Sequence, residues 1–153
     1  MRKPRLRDRV FQSWFRLSRS LTLGVRGIVV DAEGRVLLVR HTYTPGWHFP
    51  GGGVEKGETA VLSMQRELKE EAGIEAAASA IRLLSVHANH SFSPNDHVLI
   101  YRIDAWTQGE PTSRNEIAEV RFVDPLMPPE DVSPGTRRRL DEIFAGADTS
   151  ELW

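Results

Sequence analysis

Glu67, Glu70 and Glu71 stand in the run Arg66-Glu-Leu-Lys-Glu-Glu71, and helical spacing would put their three carboxylates on one strip. At about 100° per residue, Glu70 and Glu71 lie roughly 60° and 40° to either side of Glu67. Such a strip repels itself unless positive charge sits against it. A hard divalent cation with oxygen ligands is the natural occupant, and Mg²⁺ is the first choice. Gly51, Gly52 and Gly53 stand a short way upstream. Glycines there permit backbone conformations with positive φ and close approach of the chain to phosphate or metal.

The helix that must carry these groups reads from about residue 59 to 72, with Thr59 as N-cap and Gly73 as C-cap. Val61, Met64, Leu68 and Ala72 form an apolar stripe along it. The stripe is centred roughly 100–120° from the carboxylates. The glutamates are therefore expected at the edge of a buried face, where weaker screening favours cation binding. Residues 21–30 and 35–40 read as a strand, turn, strand pair around Asp31-Ala-Glu-Gly34, and residues 47–50 as a short extended piece. Residues 81–87, 98–106 and 120–123 read as further strands. Residues 134–144 read as a helix with Ser133 as N-cap and Pro134 at its first position. Strands and helices interleave, which favours a layered α/β fold with a mixed sheet.

Taken alone, the hexapeptide also fits a solvent-facing helix with ordinary ion pairs. The longer spacing is more specific. Gly52, Glu58, Arg66, Glu67, Leu68, Glu70, Glu71, Gly73 and Ile74 follow one order: glycine, five residues, glutamate, seven residues, Arg-Glu-apolar, one residue, Glu-Glu, one residue, Gly-apolar. This resembles the signature of the Nudix hydrolases at every defined position, over 23 residues. The resemblance implies a three-layer α/β/α sandwich in which the signature forms a loop–helix–loop. It also implies Mg²⁺- or Mn²⁺-dependent hydrolysis of a nucleoside diphosphate linked to another moiety. ADP-ribose, a sugar nucleotide and a nucleoside triphosphate are all open as substrates. Carried over by position, Glu70 and Glu71 become metal ligands, Glu67 a ligand or the general base, and the Gly51 carbonyl a further ligand. Glu58 and Arg66 would brace the loop against the helix, with Gly52 and Gly73 structural.

The family resemblance also points to a further acid outside the box, for which Glu116 is the first candidate and Glu119 the second. Arg40 and Arg26, on the first two strands, are candidates to face the phosphates, and Trp47 to stack on a base. His87, His90 and His97 flank the segment 88–97, but their spacing fits no zinc pattern. That segment, with Asn89, Ser93 and Asp96, reads as a substrate-selecting lid. The alternative function is a catalytically silent nucleotide-binding sensor on the same fold, against which the intact box argues. Isoprenoid diphosphate isomerisation relies on cysteine, and the chain has none.

With 153 residues, 40% apolar and 27% charged, the chain reads as one globular domain with no second protein domain. The lack of cysteine excludes disulfides and thiolate chemistry. No apolar run approaches the ~18 residues of a membrane span. A cytoplasmic protein with a small-molecule nucleotide as its partner is expected. The net charge of −1 hides an asymmetry, because residues 1–20 hold seven basic residues against Asp8 alone. Leu6, Val10, Trp14 and Leu17 recur there at helical spacing, so this arm reads as a basic amphipathic helix. Packing on the domain or a homodimer contact is its first reading, a membrane surface its second, nucleic acid its last. The domain is expected over residues 21–146, followed by a C-terminal tail at 147–153.

Overall fold

The structure is a computed structural model and describes residues 20–113 and 115–153. The basic arm predicted at 1–20 therefore lies outside the described residues, except for Ser20. Strand β1 (Thr22–Val29) is buried on both faces, with Val25 and Val29 on one side and Ile28 on the other. Such burial is what a strand inside a sandwich requires. Next in the chain come β2 (Val36–His41), β3 (Trp47–His48), helix α1 (Ala60–Ala72) and β4 (Ile74–Glu75). A 3₁₀ turn at Ala78–Ala80 leads to β5 (Ile81–Ala88), β6 (Asp96–Ile103), β7 (Thr107–Gln108), β8 (Ile117–Val123) and helix α2 (Pro134–Phe144).

β1 pairs in parallel with β6, and β6 antiparallel with β5, giving the order β1-β6-β5. A second, antiparallel sheet has the order β3-β2-β8, and β4 pairs with β7. Met64, Leu68 and Ala72 of α1 pack on Val25, Val29 and Leu37. Leu140 of α2 packs with Ile28, Leu38, Trp47 and Phe49. The helices thus cover opposite faces, and the expected α/β/α layering with mixed pairing is what the chain adopts. Full burial of a side chain such as Leu68 stabilises by about 1.5–3 kcal/mol. A Cβ on Gly27 would lie 3.0 Å from Met64 Cε, so the missing side chain lets α1 sit close on β1.

Both helices begin where their caps lie. Thr59 Oγ1 accepts from the Leu62 N–H at 3.2 Å, and Gly73 closes α1 in the left-handed region at φ 68°. Ser133 caps α2, with Pro134 as its first residue. The strands differ more. β1 and β2 do not form the expected pair: they touch through one bridge, Val30 to Val36, and enter different sheets. The Asp31 carboxylate accepts from the N–H groups of Glu33 and Arg35 and turns the chain between them. β6 ends at Ile103 and not at 106, because Trp106 leaves the strand to donate to the Val30 carbonyl at 2.9 Å and to stack on Phe122. β8 begins at 117, three residues earlier than expected, where its ladder with β2 continues.

The tail at 147–153 is docked. The Ala88 N–H donates to the Glu151 carbonyl at 2.9 Å and the Trp153 N–H to the Ala88 carbonyl at 3.0 Å, which extends the sheet past β5. No helix among the described residues is long and apolar enough to cross a membrane.

Candidate active site

The segment 50–54 runs antiparallel along the edge of β1. The Gly27 N–H donates to the Pro50 carbonyl, the Val25 N–H to Gly52 and the Val54 N–H to Leu23, at 2.8–2.9 Å. Two of its glycines are there for space. Gly51 sits at φ 144°, and a Cβ on it would fall 2.0 Å from the Val25 carbonyl oxygen. A Cβ on Gly52 would fall 2.4 Å from Glu67 Oε1. The turn is thereby pressed against both the strand and the helix.

Against this turn α1 presents the three glutamates, graded in burial. Glu71 is 8% exposed, whereas the side chains of Glu67 and Glu70 are 12% and 36% exposed. Glu71 Oε2 accepts from the Gly51 N–H at 2.8 Å. Burial pushes the Glu71 carboxyl up to about 8, and the Gly51 hydrogen bond and Arg26 only partly oppose it, while Glu67 and Glu116 push it further. Burial also raises Glu67, against the hydrogen bond from Arg66. Arg66 Nη1 lies 2.7 Å from Glu67 and 3.3 Å from Glu70, and its Nη2 lies 2.8 Å from Glu58. The same Nη2 donates to the Gly53 carbonyl at 3.1 Å. Held by the Arg66 hydrogen bond and then by the backbone at Glu55, Glu58 falls to about 2. Arg66 thus links Glu58 and the Gly53 carbonyl of the turn to Glu67 and Glu70 of the helix.

Among the described residues no three His, Asp or Glu side chains converge as a ready-made metal cluster. The donor set nonetheless fits a hard cation: all oxygen, in an acidic strip where burial raises the Glu71 carboxyl. Glu67, Glu70 and Glu71 are the residues that could hold one. The Gly51 carbonyl accepts from Arg26 Nη1 at 2.7 Å. Arg26 thus lies under the glycine turn, within the field of Glu71 and Glu67, and burial lowers its pKa against their pull.

The other candidates divide. Glu116 lies close enough to raise the Glu71 carboxyl, and its own carbonyl accepts from the Thr42 N–H at 2.9 Å. Glu119 instead pairs with Arg40 at 2.8 Å and with Arg121. Arg40 and Arg121 both cover the Trp47 ring, at 5.4 and 4.9 Å, and Trp47 itself is buried in the core under α2. Arg40 and Trp47 are thus engaged with one another and not brought to the carboxylates. His87 is spent on the Ser150 carbonyl and the Ser85 hydroxyl at 2.8 and 2.7 Å.

Two residues escaped the sequence reading. His41 Nε2 lies 3.6 Å from Glu71 Oε1. Burial, followed by Arg26 and His48, pushes the imidazole down to about 4. With Glu71 raised and His41 lowered, the contact is no ion pair at neutral pH. Tyr43, exposed at the rim, lies within the field of Glu71, Glu116 and Glu67. Nothing in the local sequence marks either residue, since the carboxylates they meet lie on α1 and before β8, far along the chain.

On the other side of the turn lies a cleft of about 490 Å³, lined by Leu23, Arg26, Gly52, Asn89, Phe92 and Asp96 among others. Asp96 is buried and accepts from Thr22 Oγ1 at 2.6 Å and Asn89 Nδ2 at 2.8 Å, which fixes the base of the segment 88–97. The Phe92 ring stands 77% exposed above the cleft.

Comparison with known proteins places this geometry. A protein of Bacillus subtilis (strain 168), provisionally named an 8-oxo-dGTP diphosphatase, is 32% identical over 127 residues, 82% of each chain. The RNA pyrophosphohydrolase of Halorhodospira halophila is 44% identical over 54 residues, so the match spans only 30% of that protein. In fold, the crystal structure of a MutT NUDIX hydrolase from Burkholderia pseudomallei agrees with a TM-score of 0.68, over 81% of this chain and 98% of that one, at 24% identity. The NUDIX domain profile matches residues 20–145, all but the arm and the docked tail, and the chain belongs to that family.

Proposed function

We propose that this Nudix hydrolase is a Mg²⁺-dependent pyrophosphohydrolase that cleaves the diphosphate linkage of a nucleoside diphosphate derivative, with a nucleoside triphosphate its first substrate class. The carrying observation is the strip of Glu67, Glu70 and Glu71 pressed against the glycine turn, with Glu71 raised to about 8 by burial. A divalent cation held by these three would neutralise phosphate charge and act as a Lewis acid toward water. Mn²⁺ has the same oxygen preference and serves as a substitute.

The chain's own groups account for the rest. Arg26 holds the turn that faces the phosphates. Water attacks one phosphorus in line with the bridging oxygen, the P–O bond breaks, and that oxygen leaves with its electron pair. The water proton passes to a carboxylate not committed to the cation: Glu67, whose proton affinity burial raises, where Glu70 and Glu71 alone hold the ion. Glu116 is the alternative acceptor. The cleft beside the turn is within the ~300–1,000 Å³ range of small-molecule sites and takes the nucleoside. Phe92 offers a face for stacking and Asp96 and Asn89 a polar floor. The B. subtilis relative, matched along most of its length, supports the triphosphate over ADP-ribose or a sugar nucleotide.

Turnover of a nucleotide panel with Mg²⁺ tests this reading: canonical and oxidised nucleoside triphosphates, ADP-ribose, sugar nucleotides, dinucleoside polyphosphates and a 5′-triphosphate RNA. Metal-dependent release of a nucleoside monophosphate from a triphosphate is expected. Glu70→Gln, which removes one ligand charge at the exposed end of the strip, should lower kcat by about 10²-fold or more while leaving the fold intact. A folded, metal-binding protein inactive on the whole panel would favour the sensor.

A further inference from the structure

We propose that His41 is a positioning residue of the hydrolytic site: it holds the Glu71 carboxylate in the orientation that binds a divalent cation. The inference rests on the functional reading above and assigns a role to a residue outside the Nudix box.

The backbone first places the imidazole. Along β2, Arg40 pairs with Glu119 and His41 with Ile117, so the ladder skips Ala118. The extra residue lies on β8, and along β2 itself the side chains alternate: Leu38 packs under α2 and Leu37 under α1, so Arg40 and His41 fall on opposite faces. Arg40 goes to Glu119 and the Trp47 ring, whereas His41 goes to Glu71. Neighbouring rings then fix the imidazole. Its centroid lies 5.2 Å from Tyr43 and 5.8 Å from His48, and His48 is itself held by the Pro45 carbonyl at 3.0 Å.

The side chain of His41 is 7% exposed, and its Nδ1 has no hydrogen-bond partner among the described residues. A buried N–H without an acceptor is rarer and costlier than an acceptor without a donor. The ring proton therefore belongs on Nε2, the nitrogen that faces Glu71 Oε1. At 3.6 Å the contact is longer than a hydrogen bond, and a small rotation of the carboxylate closes it. Contacts of this sort commonly tighten only in the loaded complex. The other oxygen of Glu71 already accepts from the Gly51 N–H at 2.8 Å. With one oxygen held by the turn and the other by the imidazole, the carboxylate keeps its outward lone pairs for a cation and has fewer orientations to lose on binding. Space-filling alone would be served as well by phenylalanine or leucine.

The experiment compares wild type, His41→Phe and His41→Gln. Calorimetric titration with Mn²⁺ in the absence of substrate is the first readout; Mg²⁺ activation, kcat and KM follow. Gln carries its amide N–H near the place of Nε2, and Phe keeps the ring without the donor. Loss of the donor should weaken Mn²⁺ binding and shift the Mg²⁺ half-activation point by about 10-fold or more, as loss of such outer contacts does elsewhere. The KM for nucleotide should change little, and the Gln variant should recover most of the metal affinity. His41→Leu, which is smaller, carries the same comparison where the Phe variant does not fold. Wild-type Mn²⁺ affinity in the Phe or Leu variant overturns the proposal. Equal weakening in the Gln and Phe variants also overturns it, since that marks a packing role. A wild-type protein that binds no Mn²⁺ overturns the ligand assignment of Glu67, Glu70 and Glu71 together with the role of His41; the other failures leave that assignment standing.

Discussion

Glu71 makes the site sensitive to pH even without substrate. Its carboxyl is pushed from the ordinary 4.5 to about 8 by burial. The folded state therefore holds a proton that the unfolded chain gives up, and the stability this contributes is full below about 4.5 and lost as pH rises to about 8. His41 works in the opposite sense: lowered from 6.5 to about 4, it costs stability as pH falls through that interval. Between pH 6.5 and 8 only the Glu71 slope of these two remains. Melting of EDTA-treated protein should therefore fall across that range, at no more than about 1.4 kcal/mol per pH unit for one group. Glu71→Gln should flatten the fall; an unchanged slope would assign it to another group, with Glu67, raised in the same direction, next in line. Gly52 offers a second test. The atom nearest to a Cβ there is the end of the Glu67 side chain, 2.4 Å away, and not backbone. Gly52→Ala should thus move the carboxylate and spare the fold, lowering kcat by about 10–100-fold with little change in melting temperature.

Gly51 separates the turn's structural part from its chemical part. Its φ of 144° and the 2.0 Å approach to the Val25 carbonyl mean that Gly51→Ala must displace backbone. A loss of about 2–4 kcal/mol in urea unfolding is expected, against almost none for Gly52→Ala. The loop–helix–loop was legible in the sequence because its signals are local: Thr59 and Gly73 cap the helix, and the glutamates follow from its period. The pairing of Glu58 with Arg66 was expected only from the resemblance to the Nudix box, not from a local signal. The strands were less so. Whether β1 and β2 pair with each other depends on β6 and β8, which lie far along the chain and compete for the same edges. Glu116 and Glu119 look alike in sequence, and only the partners that other elements bring to them separate the two, Glu71 near Glu116 and Arg40 on Glu119. The contact of His41 with Glu71 was invisible because it depends on how α1 packs over β2. The engagement of Trp47 with two guanidiniums was invisible because Arg121 comes from a strand far along the chain.

The tail links the far side of the fold to the substrate cleft. Trp153 packs against the core under α2, and residues 151–153 hydrogen-bond to Ala88, the last residue before the segment that carries Asn89, Phe92 and Asp96. Arg139, wholly buried, donates to the Leu152 carbonyl at 3.2 Å, and Glu142 accepts from the Ser150 N–H at 2.8 Å. A wall of the cleft is therefore anchored through the tail to α2. Gly135 decides whether this anchoring matters. In a helix, glycine to alanine ordinarily stabilises by about 0.5–1 kcal/mol. Here a Cβ would lie 2.4 Å from Trp153 Nε1 and 2.5 Å from Cε2, so the indole must leave its place. Gly135→Ala should thus destabilise, by about 1–3 kcal/mol in urea unfolding. It should also speed amide exchange at Ala88 and Asn89 and raise KM for the nucleotide with kcat unchanged, because the loosened wall binds ground state and transition state alike. Stabilisation of the variant would mean that the indole does not rest on Gly135 in solution, and the segment 88–97 would then owe its order to its own hydrogen bonds and those to Thr22, without the tail.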